Sequence, residues 1–273
     1  MSAAYAALAD MLKARSGLIL GPDKLYLLET RLAPILKRES LRDLAELSGR
    51  LRPGSPLERD VVDAMTTNES LFFRDSKPFD ALRKSVLPRL HAARGAGVPL
   101  RIWSAAASTG QEAYSIAMVA AELAGAMGGR RVEILGTDLA REPLERARQG
   151  IYTQFEIQRG LPMQMLVKHF AKEDAQWRIK PALREAVTFR EWNLLSDLRP
   201  LGVFDVVFCR NVLIYFDPPT KRRVLDAIAR QTAPDGVLFL GGAETVLGLT
   251  EAFAAVPGES AMYARTKAAA GAG

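Results

Sequence analysis

Residues 100–138 constrain this chain more than any other stretch. A short apolar run, Leu100-Arg101-Ile102-Trp103, reads as a strand and leads into a loop of small residues, Ser104-Ala105-Ala106-Ala107-Ser108-Thr109-Gly110. A long apolar helical pattern follows from Glu112 to about Met127, then a second strand pattern, Val132-Glu133-Ile134-Leu135-Gly136-Thr137, ending on Asp138. Strand, small-residue turn, helix, strand and acid form the first half of a doubly wound nucleotide-binding α/β fold. Small side chains let backbone N–H groups approach a ligand, and a carboxylate at the second strand's end can accept from two ribose hydroxyls. The order therefore predicts a ligand with an adenosine-like ribose. A dinucleotide would want G-x-G-x-x-G, so that glycines and a helix N-terminus meet a pyrophosphate. Here the turn has only Gly110, and Glu112 stands at the helix start. A carboxylate there repels a pyrophosphate and suits a ligand with an ammonium group and a positive sulfur; S-adenosylmethionine has both. The loop alone is also compatible with a purely structural βαβ unit, so the assignment rests on the rest of the chain.

A length of 273 residues allows one large domain or two modest ones, each with its own core. The 37 Lys and Arg against 31 Asp and Glu leave a formal charge of +6, which favours acidic partners without singling out nucleic acid. The single Cys209 excludes an intramolecular disulfide and fits a reducing cytoplasm. His91 and His169, with no Cys/His cluster, leave no metal signature. The most apolar long stretch, 115–129, contains Glu122 and is too short to span a bilayer. The first residues lack a basic start followed by an apolar core and a cleavage site. The expectation is a cytoplasmic protein without direct membrane insertion.

Residues 1–65 read as an all-helical domain. Tyr5, Leu8, Met11 and Leu12 repeat at helical spacing; Gly21-Pro22-Asp23 opens a second pattern with Leu25, Leu28, Leu32 and Ile35 on one face. Leu41, Leu44 and Leu47 give a third helix, and Arg52-Pro53-Gly54-Ser55-Pro56 precedes a fourth. Lys24, Arg31, Lys37 and Arg38 form a basic face, either solvated or a docking surface for an acidic partner. In the linker and connecting helix, 66–99, the stretch Met65-Thr66-Thr67-Asn68-Glu69-Ser70-Leu71-Phe72-Phe73-Arg74-Asp75 sets polar residues around an apolar Leu-Phe-Phe centre. Asn68 could cap a helix running into Phe73; alternatively Asn68, Ser70 and Arg74 could reach one bound molecule.

The third domain is expected over 100–265, with a disordered tail at 266–273. After Asp138 the doubly wound rhythm stops. Residues of about 150–186 read as an inserted antiparallel subdomain containing Trp177-Arg178-Ile179-Lys180, and the main sheet resumes over 187–194. Phe204-Asp205-Val206-Val207-Phe208-Cys209 is a buried strand by its β-branched and aromatic run. Ligands of open parallel sheets bind beyond the strands' carboxyl ends, which places Arg210, Asn211 and Tyr215 suitably. Asp217-Pro218-Pro219-Thr220 is similar to the Asp-Pro-Pro-Tyr loop of amino-methylating nucleic-acid enzymes. Its fourth residue is Thr220, however, and a helix N-cap at Asp217 with Pro218 in the first turn explains it better. Ala233-Pro234-Asp235-Gly236 reads as a tight turn feeding a strand at Val237-Leu238-Phe239-Leu240. Gly241-Gly242-Ala243-Glu244 follows, and Ala261-Met262-Tyr263-Ala264 reads as a last edge strand.

Together TTNESLFFRD, RIWSAAASTGQEAYSIA, FDVVFCRNVLIYF and PDGVLFLGGAE, in this order, resemble the chemotaxis receptor methyltransferase family (CheR) over nearly the whole chain. The resemblance implies a helical N-terminal domain, then a Rossmann-like methyltransferase domain with a small β-subdomain insertion. It implies glutamate O-methyl esterification on the cytoplasmic methylation helices of chemoreceptors, with S-adenosyl-L-methionine as cofactor and S-adenosyl-L-homocysteine as product. By the same resemblance Asn68, Ser70 and Arg74 contact the cofactor from the linker. Glu112 lies near its amino-acid end, Asp138 on the ribose, Asn193 and Leu194 by the adenine, and Arg210 and Asn211 at the sheet edge. Arg74 and Tyr215 are the residues expected to orient the incoming carboxylate. Ser70 departs from the family's commoner threonine but keeps the hydroxyl.

Family members that recruit a receptor's C-terminal pentapeptide have a glycine-rich loop in the β-subdomain. Here His169-Phe170 is followed by Ala171-Lys172-Glu173-Asp174-Ala175-Gln176 and Trp177, a shorter span without glycine, which resembles the pentapeptide-independent type. Two other functions are weighed. A nucleic-acid methyltransferase would want an aromatic at Thr220 and a longer basic stripe. A non-catalytic cofactor-binding scaffold would bind S-adenosylmethionine without transfer.

Overall fold

The computed structural model describes residues 3–266, apart from the side chain of Pro22. By its contacts the chain divides into two units. One runs to Thr67 and takes back Tyr215–Thr220; the other holds Asn68–Ile214 and resumes at Lys221.

The first unit is helical: α1 (Ala3–Ser16), α2 (Tyr26–Arg38), α3 (Leu44–Arg50) and α4 (Pro56–Met65). Leu8, Leu12, Leu28, Leu32, Leu47 and Val61 are fully buried and form its core. The helix starts are specified locally. The Asp43 carboxylate accepts from the Glu46 N–H at 2.9 Å, and Ser55 Oγ accepts from the Glu58 N–H at 3.1 Å with Pro56 in the first turn. Two arginines of the basic face have partners inside the unit. Arg31 Nη1 donates to the carbonyls of Met65 (2.8 Å) and Thr66 (3.1 Å), and its Nη2 to Thr67 Oγ1 (3.1 Å). Arg38 pairs with Glu39 and Asp60. The returning segment is fastened by the Ile19 N–H, which donates to the Tyr215 carbonyl at 3.0 Å, and by Lys13 Nζ, 2.8 Å from Asp217.

The second unit begins with α5 (Lys77–Ala81), which passes through a π-helical turn (Leu82–Val86) into α6 (Leu87–Ala93). Then come β1 (Leu100–Ala105), α7 (Gln111–Leu123), β2 (Val132–Asp138) and α8 (Arg141–Gln149). The insertion comprises β3 (Ile151–Thr153), α9 (Gln154–Gln158), α10 (Met163–His169), β4 (Phe170–Glu173), β5 (Gln176–Ile179) and α11 (Pro181–Arg184). The main sheet resumes with β6 (Val187–Glu191) and β7 (Phe204–Cys209), followed by α12 (Pro218–Arg230), β8 (Thr232–Leu240), β9 (Phe253–Ala255) and β10 (Met262–Arg265).

The seven strands of the main sheet run in the order β6-β2-β1-β7-β8-β10-β9. Neighbours pair in parallel except β10, which is antiparallel to both β8 and β9. The chain winds outward from β1 through β2 to β6, then returns to β7 on the other side. The order therefore reverses between β1 and β7, and the crevice beyond their carboxyl ends is where such a sheet binds ligands. Ile102, Trp103 and Ala105 of β1 and Val206–Cys209 of β7 are fully buried, as central parallel strands covered on both faces must be. The insertion forms a separate antiparallel sheet, β3-β5-β4.

Four local expectations are corrected. Helix α7 ends at Leu123 rather than near Met127, because Ala124–Gly129 turns, with Gly128 and Gly129 at positive φ. Strand β6 stops at Glu191, so Trp192, Asn193 and Leu194 lie beyond its carboxyl end. The Pro234-Asp235-Gly236 turn is an irregularity inside β8: Phe204 pairs with Thr232 and Val206 with Val237, so the extra residues bulge out. Strand β10 is not the edge, since β9 pairs outside it. The expected tail lies outside the described residues beyond Thr266.

Candidate cofactor site at the carboxyl edge of the sheet

The loop between β1 and α7 is wound tightly. Ala106 (φ 61°) and Ser108 (φ 51°) occupy the left-handed region, which costs a side-chain-bearing residue about 1–2 kcal/mol each. Hydrogen bonds hold them there. The Ala107 N–H donates to the Thr137 carbonyl at 2.8 Å, the Ser108 N–H to Asp138 Oδ2 at 2.8 Å, and the Ser108 hydroxyl to the Asn68 carbonyl at 2.8 Å. Gly110 (φ 93°) closes the turn, and a Cβ there would stand 2.9 Å from that of Ala147 and 3.2 Å from the rings of Phe189 and Tyr114.

Asp138 ends β2 and is largely buried. Its Oδ1 accepts from the Ala140 N–H at 2.9 Å, so each oxygen receives one backbone donor. A carboxylate oriented in this way at a strand end is the kind of group that accepts from ribose hydroxyls.

Glu112, in the first turn of α7, is not open to a ligand alone. Its Oε1 accepts from the Ser104 hydroxyl at 2.8 Å, and its Oε2 from Arg210 Nη1 at 3.0 Å. Burial pushes its carboxyl above the usual carboxylate range; Arg210 and Ser104 oppose that rise, and the charge of Glu244 adds to it. Arg210 is itself a strut. With a side chain 1% exposed, it donates through Nη2 to the Arg74 carbonyl (2.8 Å) and to Asp75 Oδ2 (2.7 Å). Only its Nε, buried, lacks a partner among the described residues.

The linker forms no helix between Thr66 and Asp75, which overturns the cap reading of Asn68. Instead the apolar centre anchors it. The fully buried Phe72 ring meets Tyr152 edge-on at 5.0 Å and Phe170 at 5.7 Å, while Phe73 meets Phe79 at 5.2 Å. The Phe73 N–H donates to Ser115 Oγ at 3.0 Å. Tyr152 in turn donates to the Thr109 carbonyl at 2.7 Å, so the insertion braces both the linker and the β1–α7 loop. Asn68, Ser70 and Arg74 thus sit on a fastened turn, each only partly exposed. The Arg74 guanidinium makes no hydrogen bond or ion pair among the described residues.

The linker and the loops after β1, β2, β6 and β7 bring Asn68, Ser70, Arg74, Glu112, Asp138, Asn193, Leu194, Arg210 and Asn211 into the same unit. Asn193 turns its Oδ1 onto the Leu195 N–H at 2.9 Å, and Leu194 is buried. Tyr215 is not among them, since its contacts assign it to the helical unit. Three residues without an assigned role are also part of this network: Ser104, Asp75 and Glu244. Their only sequence signal is that they fall within the motifs TTNESLFFRD, RIWSAAASTGQEAYSIA and PDGVLFLGGAE. Among the described residues, no group of three His, Cys, Asp or Glu side chains is placed to hold a metal ion, and no helix is long and apolar enough to cross a membrane.

The family model described as "CheR methyltransferase, SAM binding domain" matches residues 68–262, and "CheR methyltransferase, all-alpha domain" matches 3–66. The chain belongs to the CheR methyltransferase family. It is 42% identical to "Chemotaxis protein methyltransferase 1" of Pseudomonas aeruginosa over 92% of this chain and 93% of that one. Against "Chemotaxis protein methyltransferase 1" of Vibrio cholerae identity is 40%, covering 91% of each. Against "Chemotaxis protein methyltransferase" of Escherichia coli it is 34%, covering 90% of this chain and 85% of that one. The protein is accordingly an S-adenosylmethionine-dependent methyltransferase.

The residues present fit that cofactor. Asp138 and the Glu112 carboxylate, the latter shared with Arg210, give the crevice acidic groups suited to a sulfonium and an ammonium, and the wound loop presents backbone at the strand ends. Two buried donors lie unpartnered beyond the ends of β7 and β6, Arg210 Nε and Trp192 Nε1. Both are acceptor-seeking groups of the kind a polar ligand satisfies.

Proposed function

We propose that this methyltransferase esterifies glutamate side chains on the cytoplasmic methylation helices of chemoreceptors. The observation that carries the reading is the division of charge at the site. Fixed carboxylates suit a cationic cofactor, while the half-buried Arg74, whose charge is felt by Glu69 without a hydrogen bond or ion pair between them, offers its guanidinium to an anionic substrate. The relatives' names, all chemotaxis protein methyltransferases, support the same substrate class. They give no support to a non-catalytic scaffold.

Bound S-adenosylmethionine supplies an electrophilic methyl group on a positively charged sulfur. The glutamate carboxylate is ionised near pH 7 and needs no base. With that cofactor in place, one carboxylate oxygen would form the new bond to the methyl carbon as the carbon–sulfur bond breaks, which would give the ester and S-adenosylhomocysteine. Opposite charges neutralise one another, so the chain's own work is alignment and exclusion of water. Asp138 and Asn193 hold the nucleoside end, Asn68, Ser70, Glu112, Arg210 and Asn211 fix the remainder, and Leu194 supplies an apolar wall. Arg74 orients the incoming carboxylate; for Tyr215, which belongs to the helical unit, the same role rests on the family resemblance alone.

A receptor substrate needs no pentapeptide tether in this reading. β4 and β5 are joined by a two-residue turn, Asp174-Ala175, with Glu173 paired to Gln176, which leaves little loop for an added peptide strand. A nucleic-acid substrate is disfavoured by the use made of Asp217, whose Oδ1 accepts from the Thr220 N–H at 2.9 Å as the cap of α12. The test is transfer of labelled methyl to cytoplasmic receptor fragments with and without their C-terminal pentapeptide, scored as methanol released by base. Base-labile label on both fragments is expected. Label only on the pentapeptide-bearing fragment would overturn the tether-free reading; none on either would overturn the substrate class.

A further inference from the structure

Glu244, in the turn after β8, spends both carboxylate oxygens on backbone donors. Its Oε2 accepts from the backbone N–H groups of Gly241 (2.7 Å) and Asn211 (2.8 Å). Its Oε1 accepts from those of Val212 (3.0 Å) and Ile214 (3.2 Å). The side chain is largely buried, so this is a charge held by four convergent donors rather than by a cation. Three of the four belong to the segment directly after β7. Asn211 is in the left-handed region at φ 58°, a conformation an Asn tolerates but does not require. The clamp is sterically closed as well. A Cβ on Gly241 would stand 2.7 Å from Asn211 Nδ2 and 2.8 Å from Glu244 Oε2.

We infer that Glu244 is the positioning residue of the cofactor site: it folds the segment 211–214 around its carboxylate and so fixes Asn211, next to Arg210, at the switch point of the sheet. The inference rests on the assignment of Asn211 and Arg210 to the cofactor, and it extends the site to the end of β8. A carboxylate is required because all four partners are donors. A glutamine can offer its oxygen to one pair, but its amide then faces the other pair donor to donor. Release of Asn211 moves a cofactor contact without altering any cofactor-touching side chain.

The variant Glu244→Gln, in the full-length protein, tests this through titration calorimetry with S-adenosylhomocysteine and methyl transfer at saturating and limiting S-adenosylmethionine. Cofactor affinity is expected to fall about tenfold, the scale of one lost charge-assisted pair. The cofactor's KM should rise correspondingly, with the saturated rate changing less than the KM. Gly241→Ala, which displaces the same carboxylate and keeps its charge, should weaken binding in the same direction and serves if Glu244→Gln does not melt cooperatively. Wild-type affinity and KM in a folded Glu244→Gln, or in Gly241→Ala when the first variant is unfolded, overturns the proposal. Binding of S-adenosylhomocysteine needs no receptor, so a failure of the glutamate reading leaves this result intact and separately legible.

Discussion

Replacing Arg210 by methionine isolates the buried ion pair beside the cofactor crevice. Methionine approximates the side chain's length and removes three charge-assisted bonds: to Glu112 at 3.0 Å, to the Arg74 carbonyl at 2.8 Å and to Asp75 at 2.7 Å. Glu112, whose side chain is 13% exposed, keeps only the Ser104 hydroxyl. Breaking one half of such a buried pair costs about 3–5 kcal/mol when the stranded charge has no escape. Glu112 has one, because it can take up a proton. Burial already raises its carboxyl and Arg210 is the chief opposing influence, so the variant raises it further. A carboxyl whose folded value exceeds its unfolded value near 4.5 contributes stability below that value and loses it as pH rises toward the folded one. Arg210→Met should therefore cost more at pH 8, approaching the about 3–5 kcal/mol of a stranded buried charge, than at pH 5, where Glu112 escapes by protonation. Urea unfolding followed by far-ultraviolet circular dichroism at both pH values measures this. The double variant Arg210→Met/Glu112→Gln should lose the pH dependence. A cost equal at the two pH values, or a pH dependence that survives in the double variant, would refute the reasoning.

Other perturbations separate binding from transfer. Asp138→Ala should weaken S-adenosylhomocysteine binding by about tenfold or more, since it removes the ribose acceptors together with the anchor of the Ser108 N–H; unchanged calorimetric affinity would contradict the assignment. Tyr215→Phe should slow single-turnover transfer by about tenfold with cofactor affinity unaltered. An unchanged rate would remove Tyr215 from the site. Gly110→Ala should destabilise the second unit by about 1–3 kcal/mol in denaturant titrations, because its φ of 93° and the neighbouring Ala147 Cβ at 2.9 Å both resist a side chain. No measurable loss would mean that the loop relaxes freely.

The parts of the fold that could be read directly were those with a periodic or buried signature. β1, β2 and β7 each carry a buried apolar centre (Ile102-Trp103, Ile134-Leu135 and Val206-Val207-Phe208), and Asp138 marks itself by ending one of them. β9 has no comparable signature: Phe253-Ala254-Ala255 is three residues long with only Phe253 buried, so the sequence pattern makes its neighbour β10 the edge. In the linker the residue types pointed to ligand contacts, but what fixes them is the packing of Phe72 on Tyr152 and Phe170, residues distant in sequence. The motif resemblance points to Arg210 as a cofactor contact; most of its donors are used on Glu112, Asp75 and a carbonyl, partners visible only once β7 lies beside β1. The grouping of Tyr215 with the helical unit depends on Lys13 and Ile19, far away in the chain, and no local pattern announces it. The role of Glu244 was hidden for a related reason. An acid after Gly241-Gly242 is unremarkable until the left-handed Asn211 turns its N–H toward it.

The most direct test of the account locates the transferred group. A cytoplasmic receptor fragment is incubated with the protein and S-adenosylmethionine deuterated at its methyl, then digested and sequenced by tandem mass spectrometry under acidic conditions that preserve esters. The account predicts the deuterated methyl on glutamate side chains of the methylation helices, lost on mild base treatment. The same label on lysine, on a backbone terminus or in a base-stable linkage would contradict it.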